Sequence, residues 1–184
     1  MLPSQRMRHP LAPFLGPSFG GVFTLLMLLT VALSGILRAA DSALRTEAGP
    51  YGMLSLEFAL TLSQARSIVE SWGAAAQVQA AFSLGLDFLY LVVYSSTLAL
   101  AVLWTSVRTE RLTWIHWGDR LAWLPGIAAL ADAVENVALY QVLVGSFWPA
   151  WPPIVWGCAV LKFGLLAASI GVVVLAMLSQ SRGD

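Results

Sequence analysis

The 184-residue sequence contains one cysteine, Cys158, and two histidines, His9 and His116. A single thiol excludes an internal disulfide, a paired-cysteine redox centre and any cysteine-built zinc or iron–sulfur site within one chain. Both histidines lie in polar flanks, so no pair is placed to hold a haem inside a membrane or to build a zinc hydrolase. No metal site and no cofactor is expected. Charge is also scarce, at 11% of residues, under half the share of an average soluble domain. Ten basic and ten acidic residues cancel, which leaves no electrostatic footprint for nucleic acid.

What the sequence has in abundance is apolar surface. Hydrophobic residues make up 58%, and the mean hydropathy is +0.76. A soluble core of this size could not hide so much, so lipid must cover the rest. Four stretches, at about 18–37, 81–104, 121–144 and 154–178, can each cross roughly 30 Å of hydrocarbon at about 1.5 Å per residue. Arg6 and Arg8 before the first stretch would suit a signal peptide. The long apolar run and Arg38, which spoils a small-residue cleavage pattern, favour a retained span instead. The fold class expected is an all-α integral membrane four-helix bundle, a single membrane domain over residues 1–184.

Basic residues set the expected orientation. Arg6, Arg8, Arg108, Arg111, Arg120 and Arg182 fall on one side. Arg38, Arg45 and Arg66 fall on the other, offset by Asp41, Glu47, Glu57 and Glu70. Both termini are therefore expected to be cytoplasmic. The eight tryptophans gather at the two boundaries, Trp104, Trp114, Trp117 and Trp123 at one and Trp72, Trp148, Trp151 and Trp156 at the other. Amphipathic rings prefer that interface. Between spans one and two, Leu54, Phe58, Leu62, Ala65, Val69 and Trp72 recur at steps of three and four. That spacing predicts an amphipathic interfacial helix over about 53–72. The "FWPAWPP" segment between spans three and four reads as a rigid turn.

Ionisable residues inside the spans are the main functional lead. Counted inward from the outer boundary, Asp87 of span two, Glu135 and Asn136 of span three and Lys162 of span four lie roughly 9 to 14 Å deep, with Asp132 at roughly 18 Å. Ser83, Asp87, Tyr90, Tyr94 and Thr97 form one polar stripe on span two, and Asp132, Glu135, Asn136 and Tyr140 another on span three. A charge facing hydrocarbon costs about 2.5 to 3.5 kcal/mol, so both stripes should converge inside the bundle. Lys162 can neutralise one of three carboxylates. The other two must take protons, reach water or bind an external cation. Arg38 and Glu57 could complete the cluster. The ligand-binding candidates are thus Arg38, Glu57, Asp87, Tyr90, Tyr94, Asp132, Glu135, Asn136 and Lys162.

Three readings of this layer stand side by side. It could glue helices together, on their own or within a homo-oligomer or membrane complex. It could bind or pass a small cationic or lipid-like ligand. It could be an enzyme acting on a lipid or isoprenoid-like substrate, with Asp132 or Glu135 as acid and base, positioned by Asn136 and Lys162. The preferred reading is non-enzymatic, and the partners expected are the lipid bilayer and that ligand.

The motifs "LEFALTLSQARSIVESW" from Leu56, "DFLYLVVYS" from Asp87, "DAVENVAL" from Asp132 and "LKFGLL" from Leu161 together resemble a family of small, uncharacterised bacterial four-span integral membrane proteins. The resemblance covers about residues 54–168. It implies an inner-membrane location and a shared core, and carries over no catalytic roles. Sterol-isomerase-like proteins offer an architectural analogy only, since they also bury acids in a small bundle. Vitamin K reductase-like enzymes are excluded by the missing cysteines.

Overall fold

The computed structural model describes residues 7–146 and 148–180. Arg6 and Arg182, used above for orientation, and Phe147 of the expected turn lie outside the described residues. Among the described residues the fold is all-α, with helices α1 (Phe19–Asp41), α2 (Met53–Glu57), α3 (Leu62–Ser71), α4 (Ala74–Arg108), α5 (Leu112–Leu121), α6 (Leu124–Leu143) and α7 (Trp151–Gln180). Four segments are long and apolar enough to cross a membrane: α1 with the short 3₁₀ turn after it, α4, α5 joined to α6, and α7. Large aliphatic side chains such as Leu28, Val31, Leu130 and Leu175 are more than half exposed, the build of an integral membrane protein.

Three helices extend beyond the expected spans, most of all α4, which starts at Ala74 and ends at Arg108, whereas α6 lies within its expected span. The expected single helix over 53–72 is instead two, α2 and α3. Thr61 leaves helical geometry (φ −126°, ψ 152°) and its side chain accepts from the Gln64 backbone N–H. Gln64 Oε1 in turn accepts from the Leu60 backbone N–H at 3.2 Å. This reciprocal Thr-x-x-Gln cap starts a new helix and interrupts the old one. Residues 112–121, expected to be a connection, form α5. In the "FWPAWPP" segment, the turn ends early because α7 begins at Trp151 and takes Pro152 and Pro153 into its first turn, where no N–H is needed.

The chain divides into two compact units, each drawing a segment from all four long helices. One comprises residues 7–30, 92–129 and 163–180 of the described chain. Its core joins Met7, Ala12, Val102, Leu103, Ile115 and Ala122. Here α5 lies so close to α4 that a methyl group at Gly118 would collide with the Ser106 side chain. Phe19 stacks on Trp104 with centroids 5.3 Å apart.

The other unit comprises Val31–Leu91 and Leu130–Lys162. Its core unites Leu44, Leu56, Ala65, Ile68, Val69 and Trp72 with Ala80 and Leu84 of α4, Ala138, Leu139 and Val142 of α6, and Val155 of α7. Trp72 is buried, and its indole N–H donates to the Leu44 carbonyl at 2.7 Å. The amphipathic pair α2 and α3 is therefore tucked into protein, with Ala65, Ile68 and Val69 as its buried stripe.

Candidate functional site

The unit built from Val31–Leu91 and Leu130–Lys162 contains the charged cluster in full. Lys162, near the inner end of this unit's α7 segment, donates from Nζ to Glu135 Oε1 at 2.9 Å and to Asp132 Oδ1 at 3.0 Å. Glu57 Oε2 lies 3.7 Å from the same nitrogen. All four side chains are buried, Glu135 completely. Asp132 and Glu135 sit three positions apart on α6 and so present to one neighbour. The next residue round the helix, Asn136, reaches α4, where its Nδ2 donates to Asp87 Oδ2 at 2.6 Å.

Glu57 arrives by a different route. Gly52, at φ +60°, turns the chain ahead of α2, and a side chain there would strike the Asp41 carboxylate. Asp41 Oδ1 accepts from the Met53 backbone N–H at 2.7 Å, which ties the start of α2 to the end of α1. Five residues on, the last residue of α2 is Glu57. Burial pushes its carboxyl above the ordinary value; Lys162 pulls the other way, and the Asp132 charge adds to the rise. Among the described residues, Oε2 of Glu57 and Oε2 of Glu135 are both buried without a hydrogen-bond partner. A proton held by either acid would supply a missing donor.

Beside the cluster is a cavity of about 490 Å³. Glu57, Asp87, Asp132, Asn136 and Lys162 form its polar wall, with Ser34, Arg38, Asp41, Arg45, Tyr51, Ser83 and Tyr90 also lining it. Leu37, Leu44, Met53, Leu54 and Leu84 make the rest of the surface apolar. Such a mixture of apolar wall and a few convergent polar groups suits a small amphipathic ligand. Tyr90 accepts from Ser34 Oγ at 3.0 Å, which holds α1 against α4 at the rim.

Charge is unbalanced. Lys162 answers Glu135, Asp132 and Glu57 at once. Asp87 has the Asn136 amide but forms no ion pair among the described residues, and it lines the cavity. Arg45 pairs with Asp41 at 3.4 Å. Arg38 lines the cavity from an exposed position.

Of the nine ligand-binding candidates, the structure brings Arg38, Glu57, Asp87, Tyr90, Asp132, Asn136 and Lys162 to one cavity. Glu135 is the exception within the cluster, sealed behind Lys162 and absent from the cavity wall. Tyr94 is buried in the other unit and does not line the cavity. Tyr140, expected on the polar face of α6, is about half exposed; Leu139 takes the buried position one residue earlier. Sequence reading overlooked Asp41, Arg45 and Tyr51, which precede α2 and reach the cavity through its turn.

Among the described residues no group of three His, Cys, Asp or Glu side chains has the arrangement of a metal site. No family model, curated protein or solved structure matches the chain.

Proposed function

We propose that this is a bacterial inner-membrane protein, with both termini cytoplasmic, that binds a small organic cation or a cationic lipid-like molecule. The cavity beside Asp87 is the binding site. The observation that carries this reading is a carboxylate facing a cavity with an amide partner and, among the described residues, no ion pair, next to a lysine already shared among three acids. A half-buried anion in that position is costly unless a positive charge or a proton joins it. A ligand cation supplies the charge, and the leucine and methionine wall accepts the ligand's apolar body. The chain's resemblance to small bacterial four-span proteins agrees with the location. A purely structural role for the polar layer does not account for the cavity. The enzymatic alternative is less well supported, because Asp132 and Glu135, its acid–base candidates, both hold Lys162 and Glu135 does not reach the cavity.

The test uses the purified full chain in detergent with tetraphenylphosphonium, a lipophilic cation, and tetraphenylborate, its anionic counterpart of similar shape. Calorimetric titration should show binding of the cation and none of the anion. Asp87→Asn should weaken cation binding by at least about tenfold while leaving the melting temperature nearly unchanged. Equal binding of both ions, or full affinity in Asp87→Asn, would rule out this reading.

A further inference from the structure

The unit that lacks the Lys162 cluster carries a charge pattern of the opposite kind. Its described residues include Arg8, Arg108, Arg111 and Arg120 against only Glu110 and Asp119. None of these four guanidinium groups forms an ion pair among the described residues. Asp119 Oδ1 is occupied by the backbone N–H groups of Arg8 and His9, at 2.8 and 2.9 Å. Arg108 lies over the Trp104 ring at 5.3 Å and Arg120 over the Trp117 ring at 5.7 Å. All four arginines are exposed. Free guanidinium groups at the ends of membrane helices, set among tryptophans, form a surface for anions at headgroup level.

Two cavities give that surface shape. One, of about 440 Å³, is formed by Arg111, which caps α5, and Trp114 of α5 with Leu175, Leu178 and Ser179 of α7. The other, of about 580 Å³, includes Arg8, His116 and Arg120. The first joins a guanidinium and a hydroxyl to an indole and two leucines. A phosphodiester would use the first pair. A glycerol backbone and the start of an acyl chain would use the rest. Free phosphate would leave the apolar part of that cavity unused.

We infer that this unit holds an anionic phospholipid, its phosphate on Arg111 and its acyl chain along Leu175 and Leu178, with Arg120 and Arg8 supplying further positive charge nearby. This site shares no residue with the cavity at Asp87, so each stands or falls separately.

The experiment is native mass spectrometry of the full chain after exchange into micelles containing equal amounts of dioleoyl phosphatidylglycerol and dioleoyl phosphatidylcholine. The wild type should retain phosphatidylglycerol preferentially. Arg111→Gln with Arg120→Gln should reduce that retention roughly tenfold and leave phosphatidylcholine unaffected. Arg111→Lys with Arg120→Lys should preserve the preference, because the charge is kept; a loss equal to that of the glutamine pair would overturn the inference. So would equal retention of the two lipids by the wild type, or an unchanged preference in the glutamine pair. Inorganic phosphate at the same concentration should not displace the lipid; if it does, the site is for free phosphate. Both substituted positions are exposed, so the variants should fold, and a melting curve checks this.

Discussion

The two units solve the problem of burying polar groups in opposite ways. In the unit with α5, the buried hydroxyls each bond a carbonyl of their own helix, although Thr97 Oγ1 also meets Thr30 Oγ1 of α1 at 3.0 Å. Thr97, Thr105, Ser106 and Ser169 donate to the carbonyls of Val93, Ala101, Val102 and Leu165, each four residues back, at 2.7 to 2.8 Å. Its charges stay at the exposed ends. In the unit with Lys162, the ionisable groups find their partners in distant parts of the chain, Lys162 in Glu135 and Asp132 and Asp87 in Asn136. Local satisfaction leaves a helix free to pack in many ways. Long-range satisfaction is met in only one arrangement of α2, α4, α6 and α7. The unit that ties its polar groups across helices is also the one whose cavity is walled by buried charge, from Glu57, Asp132 and Lys162.

The sharpest way to break this contrast is Lys162→Met. It strands three buried carboxyl groups, and a loss of about 3 to 5 kcal/mol is expected in chemical or thermal unfolding of the purified protein. Adding Asp132→Asn and Glu135→Gln to that variant should recover most of the loss, since the unpaired charge goes with the acids. A melting temperature within a degree or two of wild type for Lys162→Met alone would show that the cluster is not the constraint described.

Next in size is Gly118→Ala, which attacks the other unit through packing. The added methyl group meets the Ser106 side chain, and a cost of about 1 to 3 kcal/mol is expected by the same measurement. By contrast, Thr105→Val removes a buried hydroxyl from that unit for less than about 1 kcal/mol. Its carbonyl acceptors on α4 keep their helical partners, so no acceptor is orphaned. If Thr105→Val proved as costly as Lys162→Met, local and long-range satisfaction would be equivalent and the contrast would fail.

The smallest effect is in the pH response, where the two units should differ in sign. Burial holds His9 below its ordinary value of 6.5, against the pull of Asp119 and the Ala122 backbone. Its ring nitrogen Nδ1 accepts from the Leu11 N–H at 3.2 Å. Its contribution is present above about pH 6.5 and is lost as pH falls through the lowered folded-state value. Glu57 is raised above its ordinary 4.5, so its contribution is present below that pH and lost as pH rises through the folded-state value. Melting curves against pH should therefore flatten on the acid side in His9→Gln and on the alkaline side in Glu57→Gln. The reverse pairing would contradict the environments described for both residues.

Much of this was legible in residue order. The placement of Asp87, Asp132, Glu135, Asn136 and Lys162 at similar depth follows from helical rise and from the cost of charge in hydrocarbon, and the four apolar helices follow from length alone. The Thr61-x-x-Gln64 cap was also present as a pattern, but the continuous apolar stripe from Leu54 to Trp72 outweighed it. Other features had no local signature. Tyr140 and Leu139 differ by one step around α6, which is finer than a three-and-four spacing rule can resolve. Asp132 and Glu135 share a face, yet one lines a cavity and the other is sealed. That difference depends on where Lys162 reaches from another helix.

By itself, then, the sequence determined an all-α membrane chain with one buried cation among several acids, because hydrophobic length and charge scarcity are additive properties read residue by residue. Only the tertiary structure decided which acids Lys162 serves, that Glu57 joins them through the turn at Gly52, and that Asp87 is left facing open space. Those outcomes depend on distances between helices far apart in the chain. No periodicity within a single helix encodes them.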